Sequence, residues 1–337
     1  MAKVWQKTDI PRMNILAGPQ NEIAVPPEAE VLCHYVEEKG EVIGASPKFK
    51  CKLLDTGIVV RIKFSRRETF AEIAGTRLFW ALGFYTDEVY PVRLRCFDCP
   101  QYDPSKPAEK ETRMERLVPD AIMERNFDGE ELGQFPDQGW KWRELDRIAK
   151  KPAVATKAEL EALKLLAVFI QHTDSKPPQQ RLGCYDKDLD WENSRIICKS
   201  PVLMVQDLGA TFGVGDRHVG AFSAMYYKGW ERIDIWNQEK EDQFHEETGR
   251  RVCFGRLTSP FKDGLIDPEI TEEGRQFLDK LLNQLSDDQI RDLFRVARAD
   301  KTDEVIYENG HAQGVTMEHW LSAFKKKRDQ IHKKKCS

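Results

Sequence analysis

Between residues 48 and 64, polar and apolar positions alternate in two short runs, Lys48 to Leu54 and Gly57 to Phe64, divided by Asp55-Thr56-Gly57. A period of two sends successive side chains to opposite faces of a strand, and the Asp-x-Gly break suits a tight turn, so the pair predicts a β-hairpin. Ala29 to Tyr35 and Glu88 to Arg95 predict further strands, and Asp120 to Arg125 a short one. From Glu68 to Leu82 the period changes, with Phe70, Ile73, Ala74, Leu78 and Ala81 at helical spacing and Gly83 placed as a stop. Residues 1 to 28 carry Pro and Gly without periodicity and predict an extended arm over a later core. Residues 96 to 113 predict a polar, Pro-rich insertion.

The second half reads differently. A long apolar helix is expected over Lys157 to Gln171, followed by an irregular stretch and two short runs, Ser194 to Cys198 and Val202 to Val205. Ser286-Asp-Asp-Gln289 is a capping box that opens a helix to about Ala299, and Thr316 caps a last helix ending in a basic tail. A β-rich N-terminal part joined to an α-rich C-terminal part, with a cleft between them, is the expected architecture.

The chain has 337 residues, 40% of them hydrophobic and 32% charged, which supplies a sizeable core and excludes global disorder. A net charge of -4 gives no general attraction for nucleic acid, so no such partner is expected. No run approaches the roughly 20 apolar residues of a membrane span. The first nine residues lack the apolar centre of a secretory signal, and eight cysteines are an ordinary density, so a reducing, cytoplasmic compartment is expected. Cys96-x-x-Cys99 offers two zinc ligands that Cys33, His34 and Cys51 would complete through space. A disulfide or two plain thiols accounts for the pair more simply.

Transfer of a phosphoryl group from ATP requires a loop over the phosphates, a Lys to neutralise them, carboxylates for a divalent metal and a carboxylate facing the attacking hydroxyl. His172-Thr-Asp174-Ser-Lys176-Pro-Pro-Gln179 follows the long apolar helix, and Val202-Leu-Met-Val-Gln-Asp207-Leu-Gly209 is a buried-type strand ending in a carboxylate. Val59-Val-Arg-Ile-Lys63 is a β-branched run carrying one Lys at its end, with Glu72 on the next helix as partner and Glu68 as second choice. Gly44-Ala-Ser46-Pro-Lys48 lies between two expected strands.

Together these segments resemble the atypical branch of the protein-kinase-like superfamily, which includes HipA-like kinases and phosphatidylinositol kinases. The resemblance runs over residues 40 to 210. His172 to Gln179 is similar to the kinase catalytic loop, Asp207-Leu-Gly209 to Asp-Phe-Gly, and Gly44 to Lys48 to the phosphate loop of HipA-like kinases. Ala121 to Asn126 looks like the last N-lobe strand leading to an adenine-binding hinge. Two departures stand out: Gln179 replaces Asn, one methylene longer, and Ser175-Lys176 replaces the Arg-His of many relatives.

The resemblance implies an α+β, two-lobed kinase-like fold. Residues 1-126 would form the arm and nucleotide-binding lobe, and residues 127-337 the helical catalytic lobe. It implies ATP with Mg2+ or Mn2+ as cofactors and an unidentified hydroxyl acceptor. Asp174 would face the acceptor and Lys176 would offset charge on the transferred group. Gly44, Ser46, Lys48, Lys63 and Glu72 would hold the nucleotide, and Gln179 and Asp207 the metal. The alternative is a pseudokinase scaffold that binds nucleotide without transfer. His172 is expected to be a structural hydrogen-bonder, and Gly209 to free the chain for a sharp turn.

Overall fold

The computed structural model describes residues 2–37, 46–101, 104–105, 112–125, 127–132, 139–149, 155–192, 195–214, 224–249, 252–308 and 310–336. Gly44 and Asn126 lie outside the described residues. Five strands close a barrel in the order β1-β2-β3-β5-β4: β1 Ala29–Val36, β2 Lys48–Leu53, β3 Val59–Lys63, β4 Val89–Pro100 and β5 Arg113–Glu124. β2 and β3 are the predicted hairpin, and the parallel pairing of β1 with β4 closes the ring. Alternation drives Phe49, Cys51, Leu53, Val60 and Ile62 into the barrel core. The same alternation turns Lys48, Lys50, Arg61 and Lys63 to the outside.

Helix α1, Arg66–Leu82, connects β3 to β4 and ends on Gly83 in the left-handed region at φ 89°. The segment expected as an insertion is partly strand, because β4 continues to Pro100 and β5 begins at Arg113. The short strand expected at Asp120 is the end of this twelve-residue strand. Pro119 hid it: between Val92 and Leu94 on β4 lies one residue, whereas Pro119 and Asp120 stand opposite on β5, a bulge where a missing N–H costs nothing.

The rest of the chain contributes β6 Gly129–Glu131, α2 Trp142–Ile148, α3 Lys157–Phe169, β7 Gln180–Tyr185, β8 Leu189–Glu192, β9 Arg195–Cys198 and β10 Val202–Val205. These are followed by α4 Tyr227–Arg232, α5 Gln238–Thr248, β11 Cys253–Phe254, β12 Glu269–Ile270, α6 Glu272–Leu282, α7 Asp287–Val296, β13 Val305–Glu308, β14 His311–Gly314 and α8 Met317–Lys333. The chain is thus mixed α and β, with eight α-helices and several sheets among the described residues. α3 is buried on nearly every side, and Phe169 meets Trp230 and Phe324 edge-on in the helical core. The predicted capping box of α7 forms, and Thr316, expected to cap α8, shares a capping box with His319. The N-terminal arm lies over this core: Lys3 bridges to Val202, and the Trp5 indole N–H donates to Leu82 O at 2.7 Å.

All eight cysteines are paired, as Cys33–Cys51, Cys96–Cys99, Cys184–Cys198 and Cys253–Cys336. Cys96-x-x-Cys99 is therefore a disulfide, although the sulfurs of Cys33, Cys51 and Cys96 lie within 4.8 Å of one another inside the barrel. Four disulfides run against the expected reducing compartment, since such bonds persist where the surroundings oxidise. Among the described residues no helix is long and apolar enough to cross a membrane.

Candidate active site

Lys63 is the last residue of β3, and the turn into α1 brings Glu72 back over it one and a half helical turns later. Its ammonium lies 2.6 Å from Glu72, 3.2 Å from Glu124 and 3.5 Å from Asp207. β-Sheet register explains the second contact: Lys63 stands opposite Ile122 and Arg61 opposite Glu124, so Glu124 falls on the same face as both cations. Arg61 binds Glu124 at 2.8 Å. Only 5% of Lys63 and 2% of Glu72 are exposed, so these charges interact with little solvent between them. Burial alone would neutralise Lys63, but Glu124, Glu72 and Asp207 outweigh it and hold its pKa well above the ordinary range. Burial also pushes the Glu72 carboxyl up, against the pull of Lys63, because three carboxylates share one ammonium.

The second element follows α3. Gln171 takes a left-handed conformation, at φ 55°, to leave the helix, and a single 3-10 turn at Pro177–Gln179 leads into β7. Between them Ser175 turns inward: Trp142 donates to its carbonyl at 2.9 Å, and its hydroxyl accepts from the Leu265 N–H at 2.9 Å. This fixes the backbone so that Asp174 and Lys176 emerge on the other side, paired at 2.8 Å. The Gln179 side-chain amide donates to Asp174 at 3.0 Å and to Asp207 at 2.9 Å, so both carboxylates lie within reach of one NH2 group. Burial raises the Asp174 pKa, whereas for Asp207 the nearby Lys63 and Lys48 overcome burial and lower it. Two carboxyls with opposed shifts are the arrangement that lets one take a proton while the other stays ionised.

Asp207 follows β10 and itself adopts φ 51°, so the sharp turn expected of Gly209 is made by the aspartate. Gly209 serves close approach instead: a Cβ there would come within 3.3 Å of Glu68 O. The Asp207 N–H donates to Asp87, a half-buried carboxyl pushed up to about 7 by desolvation and by Glu124. His172 corrects its expected role as well. It is fully buried, but neither ring nitrogen has a hydrogen-bond partner among the described residues, and burial lowers its pKa to about 4.

Of the residues predicted from sequence, Lys48, Lys63, Glu72, Asp174, Lys176, Gln179 and Asp207 share one charged cluster; Lys48 feels Lys63, Asp207 and Glu124 electrostatically. Ser46 donates to Glu68 at 2.5 Å, which makes Glu68 a partner of the β2 approach and not of Lys63. Glu124, Asp87 and Arg61 went unnoticed. An acidic residue closing the apolar run Ala121 to Met123 was the available signal for Glu124; nothing local marks Asp87.

Asp207, Asp174 and the Gln179 amide are hard oxygen donors that suit Mg2+ or Mn2+ once the amide turns its oxygen inward. Two carboxylates and one amide leave most positions around such a cation to other ligands. Mg2+ is a cation that takes few protein ligands and shares the rest with water and phosphate.

No protein-family model matches this chain, and no curated protein matches it. Among solved structures it is similar to a Helicobacter pylori proinflammatory kinase, CtkA, at 10% identity over 91% of this chain and 97% of that one, with a TM-score of 0.41.

Proposed function

We propose that this chain is an ATP-dependent phosphotransferase of the protein-kinase-like type, with residues 1-126 as the nucleotide-binding lobe and 127-337 as the catalytic lobe. The observation that carries this reading is Lys63, held by Glu72 at 2.6 Å, reaching Asp207 at 3.5 Å from the barrel side. Lys63 neutralises phosphate oxygens, and Glu72 holds its ammonium in place. Asp207 and Gln179 would hold Mg2+ or Mn2+, which supplies charge neutralisation on the phosphates. Asp174, its pKa raised, takes the proton of the acceptor hydroxyl as the new O–P bond forms and the bond to the ADP oxygen breaks. Lys176 sits beside Asp174 to offset charge on the group in transit. The acceptor is a hydroxyl on a protein, lipid or small molecule. The four disulfides support an oxidising compartment for this activity.

Asp174→Ala is expected to lower transfer by about two to four orders of magnitude, with ATP still raising the melting temperature. Unchanged turnover in that variant contradicts the assigned role. One observation favours a scaffold instead: the Gln179 NH2, and not its oxygen, faces both carboxylates. A thermal shift with ATP and Mg2+ but no labelled product in the wild type selects that second reading.

A further inference from the structure

Four cysteines from three neighbouring strands meet inside the barrel. Cys33 of β1 stands opposite Cys96 of β4, and Cys51 of β2 stands opposite Tyr35, one same-face step from Cys33. Cys99 would point away from Cys96 in a regular strand, because residues three apart lie on opposite faces. A bulge corrects this. Cys96 and Cys99 stand opposite Arg116 and Met114, so β4 takes three steps where β5 takes two, and Asp98 between them turns at φ 54°. All four cysteines are fully buried in the barrel core. His34 is turned outward, where its ring meets Phe97 at 5.7 Å, and so stays out of the group.

A disulfide needs only its own two sulfurs together. Here the sulfurs of Cys33, Cys51 and Cys96, drawn from two different bonds, lie within 4.8 Å of one another, and Cys99 is joined to Cys96. Tetrahedral zinc with Zn–S near 2.3 Å sets its sulfurs about 3.8 Å apart. By contrast, Cys184–Cys198 and Cys253–Cys336 gather no third ligand of this kind among the described residues. We infer that the barrel core is a redox-gated zinc site, in which Cys33, Cys51, Cys96 and Cys99 form two disulfides when oxidised and one tetrathiolate Zn2+ centre when reduced. A dithiol gives each disulfide two electrons and two protons and leaves as its own disulfide. Zn2+ then displaces the four thiol protons as four Zn–S bonds form. The metal thereby cross-links β4 to β1 and β2, a tie that neither disulfide makes.

The test reduces the full chain with a phosphine in the absence of oxygen, adds Zn2+, removes the excess by gel filtration and then alkylates the thiols. About one zinc per chain should be retained, with Cys33, Cys51, Cys96 and Cys99 protected relative to a chelated control and the other four cysteines alkylated in both. Zn2+ should also raise the melting temperature of the reduced chain. The double substitution Cys33→Ser and Cys51→Ser, checked for a cooperative melt while oxidised, should retain no stoichiometric zinc when reduced. No zinc in the reduced wild type, zinc without added protection of the barrel thiols, or a full equivalent kept by the double variant overturns the inference.

Discussion

Lys63 concentrates the energetics of the site in one side chain. Three carboxylates converge on it, so deleting one of them and deleting the lysine are unequal events. Glu72→Gln leaves Lys63 with two partners and is expected to cost under about 2 kcal/mol. Lys63→Met strands buried carboxylates without their cation and is expected to cost about 3 to 5 kcal/mol. Urea unfolding of the two variants checks the ranking, and equal losses contradict it. His172 gives a pH prediction whose sign follows from burial. Its folded pKa of about 4 lies below the unfolded value near 6.5, so its contribution is complete above pH 6.5 and is lost as pH falls towards 4. The loss amounts to about 3 kcal/mol. Asp87 and Glu72, raised in the folded state, act oppositely and lose stability as pH rises. The difference between wild type and His172→Gln therefore isolates the histidine: the gap should narrow as pH falls through that window, and a constant gap contradicts the assignment.

At the level of elements, what the sequence disclosed followed from local rules that tertiary packing left alone. The β2–β3 hairpin, α1 with its glycine stop, α3 and the capped α7 and α8 were legible because period, turn residues and caps agreed. β4 and β5 were read short because a bulge absorbs Pro119 and because Cys96 to Pro100 looks like loop by composition. α2 and β6 have too few apolar repeats to announce themselves, yet α2 supplies Trp142, which seats Ser175. In the site, Lys63 and Asp207 by their strands, Glu72 within α1, and Asp174 and Gln179 in the loop after α3 were readable. Asp87 was not, since its role arises only when the segment before β4 meets the turn after β10. Gly83 ties such elements together: its φ is 89°, and a Cβ would lie 2.0 Å from Gln6 O, where the arm crosses. Gly83→Ala is expected to cost about 2 kcal/mol or more and to expose the arm to proteolysis. Melting and limited digestion measure both, and a variant as stable as wild type contradicts the packing described.

Across the whole molecule, the barrel and the helices are held together by a few polar ties. Arg298, 1% exposed and left-handed at φ 57°, reaches from the end of α7 to Glu28 at 2.5 Å and to the carbonyls of Val92 and Ala121. Arg66 and Arg67 make a second tie at 301–303. Cys253–Cys336 fastens the tail after α8 across a sequence separation of 83 residues. Of the four disulfides only Cys96–Cys99 was open to a reading from its spacing, since eight cysteines allow about 105 connectivities. A bond closing so long a loop is expected to contribute about 4 kcal/mol, so Cys253→Ser with Cys336→Ser should melt well below wild type under non-reducing conditions. Equal melting temperatures would show that the bond constrains little.

The most direct test of the central claim is to incubate purified wild type and Asp174→Ala with Mg2+ and ATP labelled at either the γ or the α phosphate, and to follow label into protein and added hydroxyl acceptors. The account predicts transfer from γ-labelled ATP alone, present in the wild type and lost in Asp174→Ala. Label arriving from the α position, or equal transfer by both proteins, would contradict it.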